Sequence, residues 1–125
     1  MNLINGDIFN DPTGVIAHGV NCQGAFGSGV AGIIRKKFPT VYHSYQAKFK
    51  GAKRNNEVLL GTSHIVEINN ELAIANCFTQ NFYGRTGGPY ADLDSIRSAL
   101  IMPLRWAKMN NRTFKMPMIG CGRGS

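Results

Sequence analysis

Residues 15–32 read VIAHGVNCQGAFGSGVAG, and this stretch decides how the rest of the chain is interpreted. The short apolar run at 15–20 predicts a buried β-strand. Four glycines follow within residues 21–32, and residues 29–38 then have a helical pattern that ends before Pro39. A strand, a glycine-rich loop and a helix in this order predict a loop whose backbone N–H groups can approach phosphate oxygens, beside a helix N-terminus.

The same loop contains the spacing G-x-G-x-x-G, at Gly27, Gly29 and Gly32, which is typical of a nicotinamide dinucleotide site. Such sites place the first glycine directly after the strand and an acidic residue about 20 positions later. Here six residues separate Val20 from Gly27, and the sequence around residue 47, YQAKFKG, has no carboxylate. We therefore expect a site for a phosphorylated sugar or nucleotide, and not a nicotinamide dehydrogenase.

The length and composition of the chain bound its class. It has 125 residues and a mass of 13.7 kDa, so we expect a single domain spanning 1–125. No window resembles a membrane span, and the first residues do not resemble a signal peptide. The three cysteines, Cys22, Cys77 and Cys121, have the spacing of neither a disulfide framework nor a zinc site. These features predict a cytoplasmic protein without a metal.

The charge balance favours anionic partners. Lys and Arg number 14 against 7 Asp and Glu, a formal net charge of +7, with a pI near 9.7. Half of the basic residues lie between Arg35 and Arg54. Two interpretations stay open for this segment: a nucleic-acid patch, or a solvated face that keeps the protein soluble.

The remaining pattern alternates strands with helices. Strands are predicted at 2–9, 15–20, 58–60, 63–68, 71–78 and 113–120. Helices are predicted at 29–38, from Thr40 or Ser44 to Gly51, and at 91–108, with a kink or break at Pro103. Asn69 and Asn70 mark the turn of a hairpin, and 79–90 is a long loop.

This order of elements predicts a three-layer α/β/α domain with a mixed central sheet. In open sheets of this kind, ligands bind beyond the carboxyl ends of the strands. A second glycine-rich turn, GCGRGS at 120–125, follows the last predicted strand. We therefore expect both glycine-rich turns at the same rim of the sheet.

Four segments carry a resemblance to a known family. NGDIF at 5–9, the run at 15–39, FTQNFYG at 78–84 and MPMIGCGRG at 116–124 occur in the order found in macro domains, which bind ADP-ribose. The chain looks most similar to the small ADP-ribose 1''-phosphate phosphatases (the Appr-1''-p processing branch) of the yeast type and their bacterial and phage relatives. Members continue past the second loop, whereas this chain stops at Ser125. The resemblance therefore implies the macro-domain fold without its last strand and helix.

The resemblance also implies roles for individual residues. Asp7 matches the carboxylate that accepts the adenine amino group, and Ile8 lies beside it. Asn21 matches the asparagine at the distal ribose. The ligand-binding set implied for the two loops is Gln23, Gly27, Ser28, Gly29, Val30, Ala31, Gly120, Cys121, Gly122, Arg123 and Gly124. For Phe82 and Tyr83, stacking on the ligand and packing of the long loop stay open as alternatives.

The resemblance implies the catalytic residues as well, and with them the reaction. His18 falls where the phosphatases have a histidine proposed to be catalytic, so His18 is expected to act as general acid or base and Asn21 to orient the ribose. A lone histidine in a buried strand is also common as a core residue. The more distant glycohydrolase branch has a lysine and an aspartate where this chain has Gln80 and Gly124, so a lysine–ADP-ribose intermediate is not expected.

The expected function is hydrolysis of ADP-ribose 1''-phosphate by a monomer, with no cofactor, no metal and no membrane partner. Two alternatives remain. One is a non-catalytic ADP-ribose reader, which the absence of an acidic residue after the second loop favours. The other is a hydrolase that removes ADP-ribose from modified protein or nucleic acid, which the basic segment keeps open.

Overall fold

Four strands form one mixed sheet in the order β2-β3-β1-β4. The computed structural model describes residues 9, 12–24, 26, 29–80 and 93–116. The strands are β1 (Gly14–Asn21), β2 (Ser63–Glu67), β3 (Leu72–Gln80) and β4 (Phe114–Lys115), and the helices are α1 (Gly29–Lys37), α2 (Pro39–Asn55) and α3 (Leu93–Met109). Strand β1 pairs in parallel with β3 and with β4, whereas β2 is antiparallel to β3. The carboxyl ends of β1, β3 and β4 therefore lie at one rim.

Both faces of the sheet are covered by helices, which gives the three layers. Helices α1 and α2 pack on the face that presents Ile16, Val20, Ile74 and Phe78. Helix α3 packs on the opposite face, against smaller side chains of the same strands. Successive residues of a strand point to opposite faces of the sheet, so each central strand contributes side chains to both cores. For this reason β1 and β3 are buried along nearly their whole length.

The predicted hairpin is confirmed. Strands β2 and β3 are joined by a short turn in which the side-chain oxygen of Asn69 accepts hydrogen bonds from the backbone N–H groups of Glu71 (2.8 Å) and Leu72 (2.9 Å). An asparagine side chain that replaces a backbone acceptor in this way stabilises a turn without the help of a glycine. The apolar strand at 15–20 and the helix that ends before Pro39 are confirmed as well.

Four details of the sequence-based prediction are wrong. Helix α2 begins at Pro39, whose fixed φ suits the first helical turn, and extends to Asn55. Residues 58–60 form no strand but connect α2 to β2, and the Val58 side chain is 79% exposed. Strand β3 continues through Thr79 and Gln80, which were expected in a loop. Of the kink or break expected at Pro103, the break is the wrong alternative, because α3 runs continuously through this buried proline.

Other predicted elements lie partly or wholly outside the described residues. They include the first strand at 2–8, most of the loop at 79–90, the end of the last strand and the second glycine-rich turn at 120–125. None of the helices in the described part of the chain is long and apolar enough to cross a membrane.

Candidate functional site

The loop that follows β1 is anchored by the side chain of Asn21. The pairing of β1 with β3 shifts by one residue between Val20 and Asn21, and irregularities of this kind redirect side chains at strand ends. The amide oxygen of Asn21 accepts a hydrogen bond from the backbone N–H of Gln23 at 2.9 Å. It also lies 3.1 Å from the hydroxyl of Tyr45, which is 2.9 Å from the backbone oxygen of the same asparagine. Asn21 thus fixes the first turn of the loop.

Helix α2 also contacts Gly24 of this loop. The side-chain amide of Gln46 donates to the backbone oxygen of Gly24 at 2.8 Å. Gly24 has φ +86°, and a Cβ there would lie 3.0 Å from the ring of Phe49. Both the left-handed backbone and the close ring require glycine at this position. Residues 45–49 of α2 therefore form a rigid wall for residues 21–24.

The Tyr45 hydroxyl stays protonated and so remains a donor to Asn21. Burial raises the pKa of Tyr45 well above its usual value, and a backbone hydrogen bond from Gly24 offsets only part of that shift. The Tyr45 ring is fully buried and lies 4.7 Å from the Phe26 ring and 5.9 Å from the Phe78 ring, centroid to centroid. The aromatic packing fixes the ring, and the ring in turn fixes the loop.

His18 lies on β1, three residues before Asn21, and its side chain is inside the core. Its side chain is 1% exposed, and its Nε2 is 2.6 Å from Oδ1 of Asn76 on β3, so Nε2 carries the proton that it donates. The Phe26 ring meets the imidazole edge-on at 5.5 Å. Burial lowers the pKa of His18 from 6.5 to about 4, with the hydrogen bond to Asn76 opposing the shift. His18 is therefore neutral at pH 7.

Three polar side chains form a row across the sheet on the α1/α2 face. His18 of β1 is in register with Asn76 of β3, and Asn76 is in register with His64 of β2. Three buried nitrogens have no hydrogen-bond partner among the residues that the structure describes: Nδ1 of His18, Nδ2 of Asn76 and Nδ1 of His64. Burial, followed by the charge of Lys48, lowers the pKa of His64. Buried polar atoms without a hydrogen-bond partner are uncommon in proteins, and they call for an explanation other than stability, such as a functional role.

The described cysteines are unreactive thiols. Burial raises the pKa of Cys22 to about 11 and that of Cys77 to about 12, so the nucleophilic thiolate is scarce at neutral pH. Within the residues that the structure describes, no group of three or more His, Cys, Asp and Glu side chains could hold a metal ion.

Six of the residues expected in the site are described. His18, Asn21 and Gln23 lie at the carboxyl end of β1 and in the loop, and α1 begins at Gly29. Val30 and Ala31 are half-buried and pack on the large core, so their side chains face inward. The expected residues outside the described ones are Asp7, Ile8, Gly27, Ser28, Phe82, Tyr83, Gly120, Cys121, Gly122, Arg123 and Gly124. Their roles stay predictions, as do those of the six.

Sequence reasoning missed Tyr45, Gln46 and Asn76. Asn76 had a signal, since it is the one polar residue within the apolar run LAIANCF and a buried amide needs a partner. Tyr45 had a weaker one: it lies four residues after Val41 on the buried side of a helix, where its hydroxyl must also find a partner. Gln46 had none, because only the folded loop brings Gly24 to it.

The profile of the family described as "Macro domain" matches residues 17–125. The chain is a macro domain. It is 32% identical over 98 residues to the ADP-ribose 1''-phosphate phosphatase of Meyerozyma guilliermondii, which covers 68% of this chain and 56% of that protein. It is 38% identical over 88 residues to the protein of the same name from Candida albicans, covering 66% and 54% respectively. This macro domain therefore spans little more than half the length of these yeast relatives.

Solved structures share the fold of this macro domain. A protein of unknown function from Bacteroides thetaiotaomicron superposes with a TM-score of 0.84 at 29% identity, over 98% of this chain and 79% of that one. Thermosipho africanus DarTG in complex with ADP-ribose superposes with a TM-score of 0.72 at 22% identity, over 94% of this chain and 32% of that one. These likenesses confirm the expected mixed α/β macro-domain architecture.

Proposed function

We propose that this macro domain binds ADP-ribose and hydrolyses ADP-ribose 1''-phosphate. The observation that carries the proposal is the start of the loop at the carboxyl end of β1, residues 21–24, which Asn21 and helix α2 hold by hydrogen bonds, in a chain whose relatives are named for this activity. Ligands of open α/β sheets bind at this rim. The net charge of +7 favours an anionic substrate.

The reaction consumes one water molecule. The bond between the phosphorus and the ester oxygen on C1'' breaks, the water oxygen enters the phosphate, and the proton lost by water balances the one gained by the sugar hydroxyl. The products are ADP-ribose and inorganic phosphate. In H₂¹⁸O this route places the label in phosphate, whereas cleavage of the C–O bond leaves the phosphate unlabelled.

His18 enters the proposal as a general base in its neutral form. Its Nδ1, which has no partner within the described part of the chain, can accept a proton, while Nε2–H is held by Asn76, the arrangement in which a third group orients the base. The lowered pKa of His18, about 4, disfavours a role as proton donor at neutral pH, and it also makes the neutral imidazole a weak base. Asn21 is proposed to orient the distal ribose from the fixed end of the loop.

The test combines calorimetry with product analysis. The full chain is titrated with ADP-ribose, AMP and NAD, and then incubated with ADP-ribose 1''-phosphate while phosphate release is measured. We expect binding of ADP-ribose and release of phosphate, with release lost in His18→Ala and Asn21→Ala and kept in His43→Ala, an exposed histidine of α2. Failure to bind ADP-ribose overturns the proposal, and full activity of His18→Ala removes that residue from it.

The burial of His18 favours a second candidate function, a reader that binds ADP-ribose without turnover. A side chain only 1% exposed reaches a bound substrate less readily than one that lines an open cleft. This candidate predicts that ADP-ribose binds while ADP-ribose 1''-phosphate is recovered intact after hours of incubation. Phosphate release above that of the His18→Ala protein excludes it.

A further inference from the structure

The charged side chains of helices α1 and α2 are all basic, and the exposed Glu57 follows the end of α2. The two helices contain seven of the chain's 14 basic residues and no Asp or Glu. The exposed members are Arg35, Lys36, Lys37, Lys50, Lys53 and Arg54. Helix α3, on the opposite face of the sheet, has three basic residues and one acidic residue within a helix of the same length as α2. The excess charge of this protein is therefore concentrated on one layer.

The helix dipole explains only part of this distribution. Basic residues in the last turn of a helix stabilise it, which accounts for Lys53 and Arg54 and for the end of α1. The same effect favours acidic residues in the first turn, and neither helix has one. In addition, Lys50 repels both Lys53 and Arg54, its neighbours three and four residues on. The stability of the helices therefore does not account for this arrangement.

The exposed charges are aligned on α2. With 3.6 residues per turn, Lys50 and Arg54 fall within about 40° of one another around the helix axis, and Lys53 lies beside them. The stripe from Lys50 to Arg54 is about 6 Å long, enough to face about two successive phosphates of a strand at duplex spacing. The guanidinium of Arg35 lies 3.8 Å over the Tyr42 ring, which brings the cluster at the end of α1 onto the same face.

The stripe leads directly away from the candidate site. Tyr45, Gln46 and Phe49 contact the loop at residues 21–24, Lys50 is the next residue, and Lys53 and Arg54 occupy the following turn. We propose that the exposed face of α2, extended by the end of α1, binds the phosphodiester backbone of a nucleic-acid strand beside the loop. This inference goes beyond the proposed function and does not require turnover.

The test uses two charge-matched variants. Lys50→Glu, Lys53→Glu and Arg54→Glu are combined in one protein, and Arg97→Glu, Arg105→Glu and Lys108→Glu on α3 are combined in the control. All six side chains are exposed, and both variants change the net charge equally. Binding of a fluorescein-labelled 12-nucleotide single-stranded DNA, and of an RNA of the same sequence, is measured by anisotropy as NaCl is raised from 50 to 300 mM.

We expect the α2 variant to lose at least tenfold in affinity and to lower the slope of log Kd against log salt by about 2, since each lost phosphate contact removes about 0.7 for a single strand. The α3 control should lose less than threefold and keep its slope. Equal losses in the two variants, or no binding by the unaltered protein, would overturn the inference. Equal binding of a labelled polyglutamate peptide would also do so, because the face would then be a general polyanion surface.

Two further measurements keep the outcome interpretable. The corresponding Gln triple variants remove charge without placing acidic groups at the end of α2, and they should show the same ranking if the Glu protein fails to fold. Calorimetry with ADP-ribose should give unchanged affinity in all these variants. If the unaltered protein binds ADP-ribose but not the oligonucleotides, the nucleic-acid surface alone is rejected, and if it binds the oligonucleotides but not ADP-ribose, the proposed function alone is rejected.

Discussion

The two faces of the sheet are built from the same strands but serve different purposes. The α1/α2 face contains large aromatic and aliphatic side chains together with the polar row of His18, Asn76 and His64. The α3 face contains mainly small side chains, among them Ala17, Ala73, Ala75, Ala99 and Ala107. Small residues let a helix approach the sheet closely but offer no group for chemistry. The comparison teaches that one layer stabilises the domain while the other also builds the candidate site.

The largest expected effect comes from removing a ring of the α1/α2 face. Phe78 is fully buried and stacks on Tyr45, so Phe78→Ala should lower the free energy of unfolding by about 3–5 kcal/mol through the cavity that it leaves. On the α3 face the damaging change is enlargement, and Ala75→Leu should cost about 1–3 kcal/mol by overpacking. Urea denaturation measures both. A larger loss in the free energy of unfolding for Ala75→Leu than for Phe78→Ala would show that the α3 face is the more sensitive of the two.

The polar row should make stability depend on pH. The pKa of His18 is lowered from 6.5 to about 4 by burial, so between these values the unfolded chain binds a proton that the folded one does not. Stability is therefore full above pH 6.5 and falls as the pH is lowered toward 4, by an amount on the order of 3 kcal/mol. His64, whose pKa is also lowered, adds to the loss in the same direction.

Chemical denaturation at pH 7, 6, 5 and 4 measures this dependence. His18→Asn should flatten the profile between pH 6.5 and 4, and the same substitution at the exposed His43 is the control. A His18→Asn protein with the original slope would show that other groups cause the loss.

A smaller change in stability is expected for substitutions of two glycines, Gly24, which contacts α2, and Gly51, which lies in α2. Gly24→Ala forces a left-handed backbone on alanine and presses its Cβ on Phe49, which should cost about 1–3 kcal/mol. Gly51→Ala, inside α2 with nothing within 4 Å of the new Cβ, should stabilise the protein by about 0.5–1 kcal/mol. Thermal unfolding ranks the two. Calorimetry should show weaker ADP-ribose binding for Gly24→Ala only. Equal binding by the two variants would show that residues 21–24 do not contribute to ADP-ribose binding.

The smallest expected effect is removal of one hydroxyl. Tyr45→Phe deletes the donor to Asn21 but keeps the buried ring, so we expect a loss of about 1 kcal/mol in stability. Tyr42→Phe, on the half-buried side of the same helix, is the matched control and should change stability by less than about 0.5 kcal/mol. If both variants retain the affinity of the unaltered protein for ADP-ribose, the anchor of Asn21 matters for folding and not for the site.

The predictable part of this molecule is local. Strand β1, the hairpin at Asn69 and the end of α1 at Pro39 are each determined by residues within a few positions of one another. The architecture also follows, because alternating strands and helices leave few ways to bury both faces of a sheet. The start of the glycine-rich loop after the apolar strand at 15–20 was also predicted from the local pattern, and it lies at the carboxyl end of β1. The resemblance to macro domains added roles for its residues, and these stay predictions.

The unpredictable part depends on contacts between distant residues. His18 and Asn76 are 58 positions apart, and only the parallel register of β1 and β3 reveals that they are partners. The redirection of Asn21 depends on a one-residue shift in that register, which leaves no trace in the spacing of apolar residues. Pro103 misled for the opposite reason: its local cost was clear, whereas the buried surface of α3 that outweighs it was not.

The hairpin turn at Asn69 also has a consequence for the order of folding. A closed turn of this size forms in about 1–10 μs, whereas β1 must cross 58 residues to reach its place against β3 and bears a larger loop-closure cost. We expect β2 and β3 to pair first and to offer an open edge on which β1 is added. Asn69→Ala should then slow refolding in stopped-flow measurements while leaving the unfolding rate nearly unchanged. Strand β1, which carries the candidate site, would then join the sheet late in folding.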